Sequence, residues 1–187
     1  MPRFHMDTRD AVALLAEAVP REAGTWADFG AGTGTFTRAL VELLGAQARI
    51  YAVDRDASAV ATLARWARKA APNVIPVAGD FTGAFDLPGL PAPQLDGLLL
   101  ANALHFVRDG DGVLRRLADS LRPGGRVVVV EYDRRAASRW VPYPIPPVRL
   151  AELAASAGLS APHVTATRPS AFGGTLYVAV ALRPASV

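Results

Sequence analysis

The chain has 187 residues, a formal net charge of +3, 51% hydrophobic residues and no cysteine. That length can bury the core of one domain spanning residues 1–187. The missing cysteines exclude disulfides, thiolate metal sites and a cysteine nucleophile. The longest apolar runs fall far short of the ~20 residues a membrane helix needs. The first residues lack the basic-then-apolar build of a secretion signal. The expected location is therefore the cytoplasm, with no membrane partner. Lys69 is the single lysine among twenty cations, and alanine is abundant at 36 residues. This is compositional bias with dispersed charge, and it argues against a nucleic-acid partner.

Helical and strand patterns alternate along the chain, as in an α/β sheet. Asp7 or Thr8 can cap a first helix with Val12, Leu15, Ala16 and Val19 inward, ended by Pro20 and Gly24; residues 1–20 form this N-terminal unit. Residues 25–29 read as a short buried strand. A glycine-rich turn and a helix with Phe36, Leu40, Leu43 and Leu44 inward follow, stopped by Gly45. Strands are expected over 49–53 and 73–78, around a helix over 58–70. Proline and glycine make 82–94 a loop. Residues 95–101 form the fourth strand. Val113, Leu117 and Leu121 recur at helical spacing, Pro123-Gly124-Gly125 turns the chain, and 126–132 is a strand apolar on both faces, as a central parallel strand requires. Residues 148–157 read as a helix. Residues 163–168 and 175–182 are strands joined too tightly for parallel pairing, so a hairpin over about 161–182 is expected to end the sheet.

The chemistry is carried by Asp28-Phe29-Gly30-Ala31-Gly32-Thr33-Gly34, between the first strand and the next helix. Glycines allow a tight turn and close approach of a ligand to main-chain atoms, and the helix start adds a positive end. Asp54 closes the second strand twenty residues beyond Gly34, where an acid can accept hydrogen bonds from ribose hydroxyls. The glycines fall as G-x-G-x-G, with Thr35 off the pyrophosphate fingerprint G-x-G-x-x-G. A ligand with an amino and carboxylate end and no phosphates suits a turn flanked by Asp28.

On these residues the chain resembles the class I S-adenosylmethionine-dependent methyltransferases, small-molecule type. Asp28–Gly34 resembles the family's first motif. Ala52-Val53-Asp54 resembles the second, followed by Arg55. Ala78-Gly79-Asp80-Phe81 resembles the third, whose acid meets the adenine. Asn102-Ala103-Leu104-His105 follows the fourth strand, and Leu121-Arg122-Pro123-Gly124-Gly125 is a frequent family turn. The resemblance implies a Rossmann-like α/β fold, with a seven-stranded sheet in the order 3-2-1-4-5-7-6, strand 7 antiparallel and helices on both faces. It implies S-adenosylmethionine as cofactor and S-adenosylhomocysteine as product, with no metal. The implied cofactor-binding residues are Asp28, Gly30, Ala31, Gly32 and Gly34 in the first motif, Asp54 and Arg55 in the second, Gly79, Asp80 and Phe81 in the third, and Asn102 and Ala103 after strand four.

In such an enzyme methyl transfer is in-line and driven mainly by proximity and orientation. His105 is the candidate base, because an imidazole can take a proton near neutral pH. Glu131 and Tyr132 at the end of the fifth strand are further candidates. Asp96 is read as a strand-edge carboxylate without a site role, and Phe36 and Trp66 as packing residues. Phe4, His5 and Met6 are candidates for a lid over the cofactor. Residues 134–147 form a short substrate-side loop stiffened by prolines; its arginines, Trp140 and Tyr143 suit an aromatic or anionic small-molecule acceptor methylated at N, O or C. The terminal hairpin offers an edge for a homodimer. The absence of an Asn/Asp-Pro-Pro-Tyr/Phe motif, of cysteine and of a lysine-containing tetrad argues against nucleic-acid acceptors. Competing readings are a cofactor-binding but non-catalytic scaffold or partner subunit, an RNA methyltransferase and a nicotinamide-dependent oxidoreductase.

Overall fold

The structure, a computed structural model, describes residues 6–84, 86–90, 94–170 and 173–185. Seven strands form one sheet: β1 (Thr25–Phe29), β2 (Arg49–Asp54), β3 (Val74–Ala78), β4 (Leu95–Ala101), β5 (Leu121–Asp133), β6 (His163–Pro169) and β7 (Thr175–Leu182). Their spatial order is β3-β2-β1-β4-β5-β7-β6. β1, β2, β3, β4 and β5 run parallel, and β7 pairs antiparallel with both β5 and β6. This is the class I methyltransferase order, with the terminal hairpin in place.

Among the described residues, five α-helices cover the sheet: α1 (Thr8–Leu15), α2 (Thr35–Leu44), α3 (Ala57–Ala70), α4 (Gly110–Asp119) and α5 (Pro147–Ser156). Strand alternation divides the core in two. Trp26, Ile50, Leu99, Val128 and Val178 face one side and pack with Leu14, Leu40, Leu43 and Leu63 of α1, α2 and α3. Phe29, Val53, Leu98, Val127 and Val129 face the other and pack with Val113, Leu117, Leu150 and Leu153 of α4 and α5. Both faces are therefore dry, which is why the central strands carry continuous apolar runs. Gly97 makes room inside this layer: a Cβ there would stand 2.5 Å from the Trp26 ring.

Three expectations need correction. The first helix ends at Leu15, and it buries Ala11, Leu14 and Leu15, while Val12 and Ala16 are only half-buried. Ala18 and Val19 are buried in the turn beyond it. Leu121 belongs to β5, not to the preceding helix: it pairs with Leu95, and a register shift lies between that pair and Gly97. Its burial serves a strand that starts before the Pro-Gly-Gly stretch, so 123–125 lie within β5. In α2, Phe36 is half-buried at the edge of the core, and Thr37 and Ala39 take buried positions.

Asp96 is structural: its carboxylate accepts from the Thr25 amide at 2.7 Å and from Arg122 at 2.6 Å. Trp66 is half-buried with the Arg38 guanidinium 4.5 Å over its ring. Of the expected lid, Phe4 and His5 lie outside the described residues, and Met6 packs against the core. Among the described residues, no helix is long and apolar enough to cross a membrane.

Candidate active site

Strand order reverses between β1, whose neighbour β2 leads away to one side, and β4, which leads to the other. The carboxyl ends of such strands open a crevice for ligands. Here that crevice is lined by Gly30, Asp54, Arg55, Asp80, Phe81, Thr82, Asn102, Ala103, Phe106 and Val107. Seven of these are residues expected from the motifs.

The glycine-rich loop is shaped by close contacts. A Cβ on Gly30 would stand 2.7 Å from the Ala103 Cβ, so the loops after β1 and β4 can meet only with glycine there. Gly34 packs its bare Cα against Leu63 of α3 at a φ of 95°. The amides of Gly30 and Ala31 both donate to the Val53 carbonyl, at 2.8 and 3.0 Å. Asp54 then joins the two loops. Its Oδ2 accepts from the Gly32 amide at 2.7 Å, and its Oδ1 accepts from the Asp56 amide at 2.8 Å. The Gly79 amide donates to the Asp54 carbonyl at 3.0 Å, which brings the third motif alongside. Each carboxylate oxygen of Asp54 keeps a second lone pair.

Asp80 is exposed, and its Oδ1 accepts from both the hydroxyl and the amide of Thr82, at 2.7 and 2.9 Å. The Thr82 hydroxyl, then its amide, hold the Asp80 carboxyl below the usual carboxylate range. The Phe81 ring packs 5.9 Å from that of Phe29.

Asp28 is buried at the end of β1, pointing toward α2. Its Oδ2 accepts from the Thr37 hydroxyl at 2.6 Å, and its Oδ1 has no partner. Burial pushes its carboxyl up to about 7; the Thr37 hydrogen bond opposes this and the nearby Asp54 charge adds to it. The sign follows from linkage. The folded value lies above the unfolded one, so the folded state binds more protons between the two, and stability falls as pH rises through that window. Asp28→Asn removes the titration while keeping an acceptor for Thr37. It is expected to raise the melting temperature of the ligand-free protein at pH 8, with the gain shrinking toward pH 4. A pH-independent difference would remove this role for Asp28.

Asn102, at a positive φ of 54°, also carries a buried side-chain oxygen without a partner. His105 follows in a short 3-10 turn, Leu104–Phe106. Only 2% of His105 and none of Glu131 is exposed. Glu131 Oε1 accepts from the His105 amide at 3.1 Å, and Oε2 lies 2.7 Å from His105 Nδ1. Glu131 therefore grips His105 and has no surface of its own in the crevice. Tyr132 is half-buried, with its ring 6.0 Å from that of His105 and the Arg135 guanidinium 4.5 Å from its centre. Burial raises its phenol above the usual range.

Thr37, Thr82, Phe106 and Val107 escaped the sequence reading. The two threonines are hydrogen-bond partners of motif acids, and such pairings across 9 and 2 residues carry no pattern of their own.

The sequence profile of the family described as "Methyltransferase domain" matches residues 27–125. This chain belongs to that family. The matched stretch runs through the three motifs, the Asn102–His105 segment and the start of β5, and the fold is that of the S-adenosylmethionine-dependent class I members. Residues of this methyltransferase domain are 47% identical over 53 residues to "Ribosomal RNA small subunit methyltransferase H" of Verminephrobacter eiseniae, covering 28% of the chain. They are 30% identical over 126 residues to the "Probable cobalt-precorrin-6B C(15)-methyltransferase (decarboxylating)" of Methanothermobacter thermautotrophicus, covering 66% of the chain. The chain spans 16% and 59% of the lengths of these two relatives. Among solved structures, the 1,6-didemethyltoxoflavin-N1-methyltransferase of Burkholderia thailandensis, with that acceptor and S-adenosylhomocysteine bound, superposes with a TM-score of 0.71 at 23% identity, over 96% of this chain and 78% of that one.

Proposed function

We propose that this methyltransferase moves a methyl group from S-adenosylmethionine to a small-molecule N, O or C acceptor. The observation that carries this reading is a pair of buried oxygens without partners, Oδ1 of Asp28, two residues before the glycine loop, and Oδ1 of Asn102, a residue of the crevice wall. A buried acceptor atom left unpaired is costly. The donor-rich ammonium and hydroxyl groups of the cofactor fit this set, whereas phosphates, which bring only acceptors, do not.

In this reading Gly30, Ala31, Gly32 and Gly34 shape the floor, and Asp28 and Asn102 serve the amino-acid end. Asp54 and Arg55 take the ribose side. Gly79, Asp80, Phe81 and Ala103 flank the base. The bound cofactor supplies an electrophilic methyl group. The protein's part is to hold the acceptor in line with it, which can supply about 7–11 kcal/mol of the barrier. His105 faces the acceptor, Glu131 orients His105, and residues 134–147 form the acceptor-side segment. The 1,6-didemethyltoxoflavin bound to the Burkholderia thailandensis enzyme supports a small-molecule acceptor here too.

Thermal unfolding with S-adenosylmethionine, S-adenosylhomocysteine and a nicotinamide dinucleotide tests this. A ligand at one hundred times its Kd stabilises by about 2.7 kcal/mol, a rise of several degrees. Stabilisation by the first two alone is expected. Stabilisation by the dinucleotide alone, or by none, would overturn the reading.

A further inference from the structure

Building on the proposed cofactor site, we infer that Arg38, braced on Trp66, is a positioning residue for the cofactor: it fixes the outer end of the glycine loop and so keeps the amino-acid end of the site in shape.

The loop needs an outside hold. Gly30, Gly32 and Gly34 stand at positive φ, 82°, 54° and 95°. Glycine reaches such angles freely, and it leaves them as freely. Main-chain bonds tie Gly30 and Ala31 to the Val53 carbonyl and close the Gly34 amide onto the Ala31 carbonyl. Gly32 and Thr33, between them, take no part in these bonds. Gly34 begins α2 without a side-chain cap. Among the described residues, two side chains hydrogen-bond to the main chain of this loop. Asp54 Oδ2 accepts from the Gly32 amide at 2.7 Å, and Arg38 Nη1 donates to the Thr33 carbonyl at 2.7 Å. The two bonds grip opposite ends of one dipeptide. One comes from the end of β2 and the other from α2, so losing either leaves Gly32-Thr33 tied at a single end.

Arg38 is held in this position by α3. Its guanidinium lies 4.5 Å over the Trp66 ring. A stacked guanidinium is attracted to the ring face, and its planar fork is oriented before it bonds. Trp66 packs against the core, and Leu63, one helical turn earlier on α3, is the residue a Cβ on Gly34 would strike. The same Cβ would stand 3.0 Å from Arg38 Nη1, so the bare Cα of Gly34 also leaves the guanidinium its place. Among the described residues, no carboxylate forms an ion pair with Arg38. Burial lowers its pKa from the usual arginine value, the mark of a cation partly withdrawn from water, where a hydrogen bond is less screened.

The position of this bond selects one end of the cofactor. Arg38 follows Thr37, whose hydroxyl bonds to Asp28. In the proposed complex Asp28 serves the amino-acid end and Asp54 the ribose. Removing Arg38 therefore frees the amino-acid side of the loop, while Asp54 keeps its hold on Gly32.

The test compares S-adenosylhomocysteine with 5′-methylthioadenosine, which carries the same adenosine without an amino-acid end, by calorimetric titration into the full chain. Arg38→Ala is expected to weaken the first ligand about tenfold and the second less than about twofold. Arg38→Lys keeps the charge and a donor but loses the flat stack, and should cost the first ligand about threefold; it carries the same comparison if Arg38→Ala does not fold. Arg65→Ala removes an equal charge from α3, where Arg65 bonds to the Thr62 hydroxyl, and should leave both affinities unchanged. Trp66→Leu should weaken S-adenosylhomocysteine in the unsubstituted chain and add nothing in the Arg38→Ala background, because it acts through the guanidinium. Equal losses on both ligands, or no loss on either, would overturn the positioning role of Arg38. A matching loss in Arg65→Ala would overturn it too, by assigning the effect to net charge. A Trp66→Leu loss of the same size in both backgrounds would overturn the brace. An unsubstituted chain that does not bind S-adenosylhomocysteine would instead overturn the methyltransferase reading itself.

Discussion

Asp54→Ala is expected to weaken binding of S-adenosylhomocysteine about a hundredfold, measured by titration calorimetry. The reason is that Asp54 does two jobs. Its two oxygens hold the Gly32 and Asp56 amides, at 2.7 and 2.8 Å, and so shape the glycine loop and the start of α3 together. In the proposed complex its remaining lone pairs also receive the ribose hydroxyls. Hydrogen bonds to a charged group are worth about 1.5–3 kcal/mol each, and about 1.4 kcal/mol is a tenfold change in Kd. Losing the ribose contact and the ordered loop together therefore costs two powers of ten. Stability should change less than affinity, because the Asp56 amide is exposed and water can replace the carboxylate there. Asp54→Asn keeps one acceptor oxygen and should lose about tenfold. Unchanged affinity in both variants would strip Asp54 of the ribose role.

Glu131→Ala is expected to be the most destabilising single substitution proposed for this protein. Glu131 is fully buried, and it satisfies both the backbone amide and the ring Nδ1 of His105. Truncation leaves two donors unpaired in a dry site. Breaking a buried pair in this way costs about 3–5 kcal/mol. For a chain of this size each kcal/mol is about 2–4 °C in Tm, so a fall of about 6–20 °C is expected by calorimetry or circular dichroism. Glu131→Gln keeps one acceptor and should lose about half as much. The double variant His105→Ala/Glu131→Ala should cost less than the two single changes added together, because the groups form one unit. Strict additivity would show that the pair does not act as one.

Much of this architecture was legible in the residues themselves. Parallel central strands are apolar on both faces because both faces are covered, so β4 and β5 announce themselves as continuous runs. The five residues between β6 and β7 are too few for a crossover, so antiparallel pairing followed from length alone. The spacing from Gly34 to Asp54 placed the glycine loop and the acid at adjacent strand ends, and parallel pairing of Phe29 with Val53 brings them together. Local rules sufficed in these cases because each depends on chain length, backbone freedom or strand alternation.

Other features were decided only when distant segments met. Leu121 repeats at the helical spacing of α4, yet it is drawn into β5 by pairing with Leu95, 26 residues earlier. A buried leucine satisfies either pattern, and only the partner strand chooses. Glu131 reads in sequence as one more strand-end acid. Its function as the clamp on His105 arises because β4 and β5 are neighbours, which sets residues 26 apart at hydrogen-bond distance. Thr37 became the partner of Asp28 because α2 folds back over β1. The sequence by itself therefore determined the order of elements, the sheet's central character and the place of the glycine loop. The tertiary structure alone decided which acids are satisfied, which are buried with an oxygen left open, and which side chains stand together at the crevice. The physical reason is that the first set depends on energies local to the chain, whereas burial and hydrogen-bond partnership depend on neighbours that only the packed sheet supplies.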